Sequence, residues 1–457
     1  MPRYHVKILG PDYDAMADLV RTYNVTVARH TAEKLVEGGY RIDAHATGTQ
    51  IRRLEAAGYT VDRYEDADKT GKARQAEIRK LKKTVEAEDH LVAAAPQYLN
   101  VAQVESALAA AASAPNESFT KLITLPRKTW ENRVCHALKI GKGEGANRPG
   151  IYFLGGVHAR EWGSCDILIN FVQLLTQAYR TNTGVTLGTK TYTAAQIRSI
   201  VNTKDIVVFP QANPDGRNHS MTKDAMWRKN RRPAPAGHAE AQCVGVDINR
   251  NYDFLWNYTR YFDPAAPIAN SKDPCEAEVY IGPRAMSEPE TKNAVWLFDQ
   301  FPNISYFIDV HSYSEAILFN WGDDTNQIND PGMNFQNAAF DGKRGIATDA
   351  EYKEFIDSAD RTAIVALANR MRDAIKTVRG RNYNVQQSVG LYPTAGTSDD
   401  YAFSRHIVDA GKAKVYSYTI EWGAASNPTP FHPPYSEMMM IIREITLALL
   451  EFCFRAK

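Results

Sequence analysis

The stretch that decides the fold is Ile151-Tyr152-Phe153-Leu154-Gly155-Gly156-Val157-His158-Ala159-Arg160-Glu161-Trp162. Its first residues form an apolar run typical of a buried strand, and the remainder is a loop that carries His158 and Glu161. A second apolar run, Tyr306 to Val310, is followed at once by His311. Because ligands of open α/β sheets bind beyond the carboxyl ends of the strands, we expect the two loops to meet at one site.

Two histidines and one carboxylate are the protein ligands of a catalytic zinc site, whose fourth position stays open for water. Taken alone, the pair His158 and Glu161 is a weak signal, since H-x-x-E also occurs by chance in surface loops. His311, in a matching position after a second strand, favours the metal site.

The composition places limits on the class of protein. A chain of 457 residues suggests two domains, and 44% hydrophobic with 23% charged residues is typical of a soluble globular protein. A net charge of +1 gives no general attraction to nucleic acid or to an anionic membrane, and the basic cluster 228–232 is short. The chain has no apolar run of about 18 residues, so we predict no membrane span.

The start of the chain and the cysteines bear on export. Residues 1–6 lack the apolar region of a signal peptide, so we expect that a signal was removed or that export does not use that route. Five cysteines are too few for a disulfide scaffold. Cys243 and Cys275 bracket one loop and could pair, whereas the other three lie in patterns typical of core residues: Cys135, Cys165 and Cys453.

Residues 1–66 have a pattern of their own, with the order β-α-β-β-α-β of a ferredoxin-like α+β sandwich. The predicted strands are Arg3 to Leu9, Val25 to Ala28, Tyr40 to Ala46 and Tyr59 to Tyr64. The predicted helices are Asp12 to Tyr23, with Met16, Leu19 and Val20 on one face, and Thr49 to Ala57. Residues 67–96 are highly charged and predict a helical or partly mobile connector with tryptic sites near 79–83.

Residues 97–457 alternate strand-like and helical patterns, which predicts an α/β sheet with helices on both faces. The predicted strands are Arg133 to Ile140, Ile151 to Leu154, Ile206 to Pro210, Tyr306 to Val310 and Val415 to Ile420. The predicted helices are one through Val101 and Leu108, Ile167 to Tyr179, Thr362 to Val378 and Met438 to Phe452. Segments 256–290 and 315–357 are long and turn-rich, as functional rims or insertions often are.

Six motifs accompany the first loop: Asn213-Pro214-Asp215-Gly216, Met226-Trp227-Arg228-Lys229, Gly245-Val246-Asp247-Ile248-Asn249-Arg250-Asn251, His311-Ser312-Tyr313, Tyr392-Pro393-Thr394-Ala395-Gly396-Thr397-Ser398-Asp399-Asp400-Tyr401 and Tyr418-Thr419-Ile420-Glu421. In this order they resemble the zinc carboxypeptidases of the carboxypeptidase A/B family, over roughly residues 97–457. The resemblance implies a mixed, twisted eight-stranded sheet flanked by helices. The first 66 residues resemble the activation domain that precedes the enzyme in many members.

The resemblance assigns the metal chemistry to five residues. His158, Glu161 and His311 are expected to bind one Zn²⁺ ion. Asp247 matches the carboxylate that holds the first histidine in the right tautomer, although it could instead only cap the following turn. Glu421 matches the general base that takes a proton from water and gives it to the leaving amine; a buried ion-pair partner is the alternative.

The same resemblance assigns substrate contacts. Arg228 matches the arginine that stabilises the developing oxyanion. Asn249 and Arg250 match the pair that binds a free C-terminal carboxylate, and Tyr392 matches a tyrosine that closes over the substrate. Arg160 matches a residue of the substrate groove. Each has a simpler alternative. Asn249 could be a turn residue, Tyr392 a packing aromatic and Arg160 an ion-pair partner.

Asp399 occupies the position that forms the floor of the side-chain pocket in the family. An aspartate there is typical of B-type enzymes, which remove Lys or Arg, because a buried carboxylate favours a cationic side chain. The sequence therefore predicts a zinc exopeptidase that acts on the C-termini of peptides or proteins and prefers basic residues. Broad specificity, cell-wall peptides as substrates, and an inactive binding module are the alternatives; inactive relatives usually lose the ligands or the base.

Some features depart from the family pattern or extend it. The gap between Glu161 and His311 is longer than usual. Asp323 and Asp324 could contribute to a calcium site, although solvated loop acids are the simpler interpretation. Cys243 and Cys275 match a family disulfide, which would fit a secreted or extracytoplasmic protein. The N-terminal domain is expected to act as an intramolecular inhibitor until cleavage near residues 74–95, and no nucleic-acid or membrane partner is expected.

Overall fold

The computed structural model describes residues 2–457 except 13, 14, 17, 20, 21, 24, 36, 37, 86–96, 144–147, 347 and 348. These residues form a four-stranded sheet near the start of the chain and an eight-stranded sheet in the remainder. Within the described part, none of the helices has the length and apolar character needed to cross a membrane.

The small sheet contains the four strands that the sequence predicted, in the antiparallel order β2-β3-β1-β4. They are β1 Arg3–Gly10, β2 Thr26–Lys34, β3 Tyr40–Thr47 and β4 Thr60–Asp66. Helix α1, Gly48–Ala56, begins at a capping box in which Thr47 and Gln50 satisfy each other's backbone N–H groups. The first predicted helix lies partly outside the described residues, as does Val20; Met16 and Leu19 are buried in the core of this sheet.

The predicted connector begins as helix α2, Ala67–Val85, and its residues 86–96 lie outside the described part of the chain. The helix packs closely on the larger part of the protein. Gln75 donates a 2.7 Å hydrogen bond to the carbonyl of Ser220. A side chain at Gly71 would overlap the Cβ atom of Ala225, 2.2 Å away, so the close approach requires glycine.

The large sheet confirms the predicted fold class, because it is mixed, eight-stranded and flanked by helices, with the order β15-β12-β16-β11-β7-β10-β6-β5. Its strands are β5 Thr120–Thr124, β6 His136–Ile140, β7 Gly150–Gly155, β10 Asp205–Phe209, β11 Ile304–Ser312, β12 Ala316–Phe319, β15 Asn384–Gln387 and β16 Tyr416–Trp422. Two short pairs lie outside it: β8 Val185–Leu187 with β9 Lys190–Tyr192, and β13 Asn326–Gln327 with β14 Glu354–Phe355.

Helices cover both faces of the large sheet. They are α3 Val101–Ala112, α4 Gly163–Thr181, α5 Ala194–Thr203, α6 Pro214–Thr222, α7 Tyr258–Tyr261, α8 Pro289–Gln300, α9 Ser358–Arg379, α10 Ser398–Val408 and α11 Tyr435–Arg455. The side chains of β7 alternate between two apolar clusters. Ile151 and Phe153 belong to the cluster that contains α4 and α11, whereas Tyr152 and Leu154 belong to the cluster that contains α8. Burial on both faces explains why β7 is a continuous apolar run.

Several boundaries differ from the prediction. Strand β6 begins at His136 rather than at residue 133, because Arg133 instead contacts the buried carboxylate of Asp215 at 2.5 Å. Strand β11 extends through Ser312, so His311 lies in the strand and not in a following loop. Segment 315–357, predicted as turn-rich, contains strand β12.

The interpretation of Asp323 and Asp324 as solvated loop acids is wrong, because both side chains are fully buried. Asp324 accepts hydrogen bonds from the backbone N–H groups of Thr325 (2.6 Å) and Gly345 (2.8 Å). Burial and then Glu354 raise the pKa of Asp323 above its usual range. Neither acid belongs to a metal-type cluster of the described residues, and Asp324 connects its own turn to Gly345.

The cysteines behave as the sequence predicted. Cys243 and Cys275 form a disulfide, and the three remaining cysteines are buried and free: Cys135, Cys165 and Cys453. The disulfide closes a loop between chain positions 32 residues apart, beside the motif that contains Asp247. It therefore fixes the loop next to Asp247.

Candidate active site

The sheet brings three of the predicted residues to one place. Strands β7, β11 and β16 are parallel neighbours, so their carboxyl ends lie at the same edge. His158 follows β7 by three residues. His311 and Glu421 are direct partners in the register of β11 and β16. The two apolar runs of the sequence therefore place their polar neighbours side by side, as expected.

His158, Glu161 and His311 direct four donor atoms at one point. Nδ1 of His158 lies 2.8 Å from Oε1 of Glu161, and Nδ1 of His311 lies 3.0 Å from Nδ1 of His158. Oε2 of Glu161 lies 3.1 Å from Nδ1 of His311. Ligand atoms of a tetrahedral zinc ion are about 3.3 Å apart, so the donor set and its spacing fit zinc. All three residues are buried.

The far nitrogen of each imidazole faces a carboxylate. Nε2 of His158 lies 3.1 Å from Oδ1 of Asp247, which was predicted. Nε2 of His311 lies 2.9 Å from Oδ2 of Asp309, a residue to which the sequence analysis gave no role. The signal for Asp309 was its position two residues before His311, on the same face of a strand. Such carboxylates fix the tautomer and direction of a metal-binding ring.

Asp247 connects Arg228 to the metal-type cluster, which consists of His158, Glu161 and His311. Its Oδ2 accepts hydrogen bonds from Nε (3.2 Å) and Nη2 (2.9 Å) of that arginine. Its Oδ1 also accepts the backbone N–H of Asn249 at 3.0 Å, so Asp247 faces His158 and caps the turn at the same time. Burial opposes ionisation, but Arg228 and His158 outweigh it and hold the pKa of Asp247 well below its usual range.

Glu421 is next to the metal-type cluster and is only partly exposed. Burial raises its pKa to about 8, despite the opposing influence of His311. Its Oε2 atom has no hydrogen-bond partner among the described residues. A carboxylate that is buried without a protein partner is suited to exchange protons with a substrate or a water molecule.

The residues predicted to bind the C-terminal end of a substrate also lie together. Arg250 is held by hydrogen bonds from Nε to the carbonyl of Ala269 (2.8 Å) and from Nη1 to the carbonyl of Asn249 (2.7 Å). Its Nη2 lies 3.5 Å from the hydroxyl of Tyr392. The side chain of Asn249 accepts the backbone N–H of Ser398 at 2.8 Å. These contacts fix the direction of a guanidinium fork beside the tyrosine.

Arg160 forms an ion pair, which is the alternative that the sequence offered to a role in the substrate groove. Its Nη2 forms a 2.7 Å ion pair with Glu278, and its guanidinium lies 4.5 Å from the ring centre of Phe431. Both partners come from distant parts of the chain, which explains why the sequence did not reveal them.

Asp399 lies in the first turn of α10 and is buried. Its Oδ2 accepts 3.2 Å hydrogen bonds from the hydroxyls of Ser388 and Thr419. Burial, and then the charge of Asp399, raise the pKa of the neighbouring Asp400 well above its usual range. Asp400 is therefore protonated more readily than an ordinary aspartate.

The small N-terminal sheet touches the rim of this region. The ring of His45, on β3, lies 6.3 Å from Tyr313 and 5.5 Å from Phe431. Tyr313 follows the metal-type ligand His311 by two residues. At the other end of the contact, Arg3 on β1 forms ion pairs with Asp68 (2.7 Å) and with Asp224 of the larger part.

Comparisons with known proteins agree with the geometry. Residues 105–447 match the peptidase M14 family, described as zinc carboxypeptidase. Carboxypeptidase A4 of Mus musculus is 30% identical over 295 residues, which are 64% of this chain and 55% of that protein. Carboxypeptidase B of Astacus astacus is 30% identical over 296 residues, or 64% of this chain and 76% of that protein.

The fold has known counterparts as well. The crystal structure of thrombin-activatable fibrinolysis inhibitor aligns with a TM-score of 0.70 at 20% identity, over 100% of this chain and 99% of that one. Carboxypeptidase A from Helicoverpa armigera aligns with a TM-score of 0.70 at 19% identity, over 99% and 98% of the two chains. At these identities the alignments show a shared fold, including the small N-terminal sheet.

Proposed function

The chain belongs to the zinc carboxypeptidase family, and from that premise we propose that it hydrolyses the last peptide bond of peptides and proteins, with a preference for C-terminal Lys or Arg. The observation that carries the proposal is the convergence of four metal-type donor atoms beside Glu421. Arg250 donates to the carbonyl of Asn249, and the backbone N–H of Ser398, which precedes Asp399, donates to the side chain of Asn249. The experiment that tests it measures release of C-terminal amino acids, with and without a metal chelator.

We assign the zinc ion to His158, Glu161 and His311. When bound there, zinc supplies a Lewis acid that polarises a carbonyl oxygen and acidifies a water molecule. Glu421 accepts the proton of the attacking water and returns it to the leaving amine, a role suited to a carboxylate of raised pKa. Arg228 faces the developing oxyanion, and Asp247 holds its guanidinium in place.

Recognition of a free chain end falls to Arg250, Asn249 and Tyr392. The guanidinium fork of Arg250 matches a carboxylate through two parallel hydrogen bonds. Because its Nε and Nη1 atoms are held by backbone carbonyls, the direction of the fork is set before the substrate arrives. Tyr392 is partly exposed beside this arginine and closes over the bound end of the chain.

The preference for Lys or Arg rests on Asp399. Its carboxylate is buried, and among the described residues its hydrogen-bond partners are hydroxyls and a backbone N–H rather than a cationic side chain. Its negative charge is therefore only partly compensated, which favours a cationic substrate side chain and disfavours an apolar one.

Replacing Asp399 with asparagine is expected to lower kcat/KM for a substrate ending in Arg by about 100-fold, because a buried charge pair is lost. The value for a substrate ending in Phe is expected to stay the same or rise. Asp409→Asn, at the exposed end of α10, is the matched control and should change neither. An unchanged Arg-to-Phe ratio in Asp399→Asn would remove the basis for the proposed specificity.

We also propose that residues 1–66 form an inhibitory domain and residues 67–96 its cleavable connector. The contacts of His45 with Tyr313 and Phe431 support a position next to the substrate groove. The Cys243–Cys275 disulfide supports a secreted or extracytoplasmic location, where such activation by proteolysis takes place outside the cytosol.

Limited trypsin treatment is expected to raise the peptidase rate at least about tenfold. An inhibitory domain that covers the groove in about nine molecules of ten leaves about a tenth of the full rate, and its removal restores the rest. The basic residues near 79–83 are the expected cleavage sites, and mass spectrometry of the products identifies them. Adding a trypsin inhibitor before the protease is the control. An equal rate before and after complete cleavage would show that the domain does not inhibit.

A further inference from the structure

Asp309 is a fully buried carboxylate with an unusual set of contacts. It lies on β11, two residues before His311 and on the same face of the strand. Its Oδ2 is 2.9 Å from Nε2 of His311 and accepts a 2.6 Å hydrogen bond from the hydroxyl of Ser398. Its Oδ1 has no hydrogen-bond partner among the described residues, and Nε2 of His311 meets Oδ2 as a close ion-pair contact and not as an aligned hydrogen bond.

A buried carboxylate is costly unless a cation or several donors compensate it. The ion pairs of the described residues connect Asp309 to one group, the imidazole of His311. That imidazole directs Nδ1 toward His158 and Glu161. The imidazole of His311 therefore lies between Asp309 and the point at which the three proposed metal ligands meet.

We propose that Asp309 is a positioning residue for zinc, which keeps the proton of His311 on Nε2 and thereby presents Nδ1 as the metal ligand. Both histidines of the site then have a carboxylate behind them, Asp247 for His158 and Asp309 for His311. A carboxylate in this position fixes the ring and raises the basicity of the ligand nitrogen. The inference rests on the zinc site of the proposed function.

Ser398 connects this carboxylate to the substrate-binding residues. Its hydroxyl donates to Asp309, and its backbone N–H donates to the side chain of Asn249. Ser398 is also the first residue of α10 and precedes Asp399. Ser398 therefore holds Asp309 through its hydroxyl, and through its backbone it holds Asn249 of the proposed chain-end site.

The test compares the full-length wild-type protein with Asp309→Asn, which keeps the size and one acceptor oxygen but removes the charge. Zinc affinity is measured by competition with a chromophoric chelator, and the visible spectrum is recorded with Co²⁺ in place of zinc. Asp309→Asn is expected to bind zinc about 10- to 100-fold more weakly and to change the Co²⁺ spectrum. The exposed Asp373→Asn is the matched control and should change neither.

Ser398→Ala provides a second variant that removes only the anchoring hydroxyl and keeps the backbone contact with Asn249. It is expected to weaken zinc binding by a few-fold, and it tests the inference if Asp309→Asn does not fold. The thermal stability of the zinc-free proteins separates the positioning role from a structural one. A stable zinc-free Asp309→Asn with weakened zinc binding supports positioning.

Wild-type zinc affinity in Asp309→Asn, or in Ser398→Ala where the first variant does not fold, overturns the inference. Loss of zinc affinity that merely follows a large loss of zinc-free stability overturns it as well. Peptidase activity of the wild type is measured separately. If the wild type binds zinc but releases no amino acid, the proposed function fails while the positioning role of Asp309 still stands or falls on the binding data.

Discussion

Replacing Glu421 with glutamine is expected to lower kcat by about 10²- to 10⁴-fold, which is the contribution of a positioned general acid–base group. Glutamine has nearly the same shape but neither accepts nor returns a proton. Zinc content and KM are expected to stay close to the wild-type values, because Glu421 is not one of the three proposed ligands. Glu117→Gln, on an exposed turn, is the matched control.

The pH profile gives this prediction a second readout. Glu421 must be ionised to accept a proton, so kcat/KM is expected to rise with pH through the pKa of its carboxyl. Burial raises that pKa to about 8, and a bound metal cation lowers it, so the acid limb should lie below pH 8. The residual activity of Glu421→Gln should lack this limb. An unchanged acid limb, or a loss of less than about tenfold in kcat, would exclude Glu421 as the base.

Replacing Arg250 with alanine is expected to lower kcat/KM by about 10³-fold on peptides with a free C-terminus, because a buried charge pair with the substrate is lost. Wild-type protein should cleave the same peptide with a C-terminal amide about as slowly as Arg250→Ala cleaves the free acid. The two changes, one on the protein and one on the substrate, should not add, since each removes the same interaction.

Arg260→Ala is the matched control for Arg250, because that arginine is exposed and forms its ion pair with Asp341 near the surface. Additive effects of the amide and of Arg250→Ala would contradict the assignment of this arginine to the chain end. Equal rates on acid and amide substrates in the wild-type protein would contradict an exopeptidase altogether.

The sequence predicted the elements whose residues satisfy local rules. Strand β7 is buried on both faces and is therefore apolar throughout, and the loop after it carries His158 and Glu161 at a short spacing. Likewise β11 and β16 were recognised, because their apolar runs end at His311 and Glu421. At each of these positions a buried, apolar strand and a polar residue of the site lie in one short stretch of sequence, so a local pattern is enough to find them.

Elements at the borders of the sheet were not predicted. Strands β5 and β15 lie at its two edges, where half-exposed residues weaken the strand pattern. Strand β12 was hidden in a turn-rich segment because it is only four residues long. Helices α5, α6, α7, α8 and α10 were also missed; the first turn of α10 is polar because it carries Asp399 and Asp400.

Contacts between distant parts of the chain were beyond local patterns. Arg160 pairs with Glu278, which is 118 residues away, and Asp309 contacts Ser398, which is 89 residues away. Asp323 is likewise buried close to Glu354, which comes from the other end of the 315–357 segment. The sequence thus indicated His158, Glu161 and His311 as metal ligands. Asp309, which lies behind His311, became visible only in the folded protein.

We propose that this chain is a zinc-dependent exopeptidase that prefers basic C-terminal residues. The most direct measurement is release of free amino acid from two blocked dipeptides, one ending in Arg and one in Phe, after limited trypsin and with or without a zinc chelator. We expect release of Arg well ahead of Phe, loss of both with the chelator, and recovery on adding zinc. No release of either amino acid from zinc-loaded, trypsin-treated protein, or release that the chelator does not affect, would contradict it.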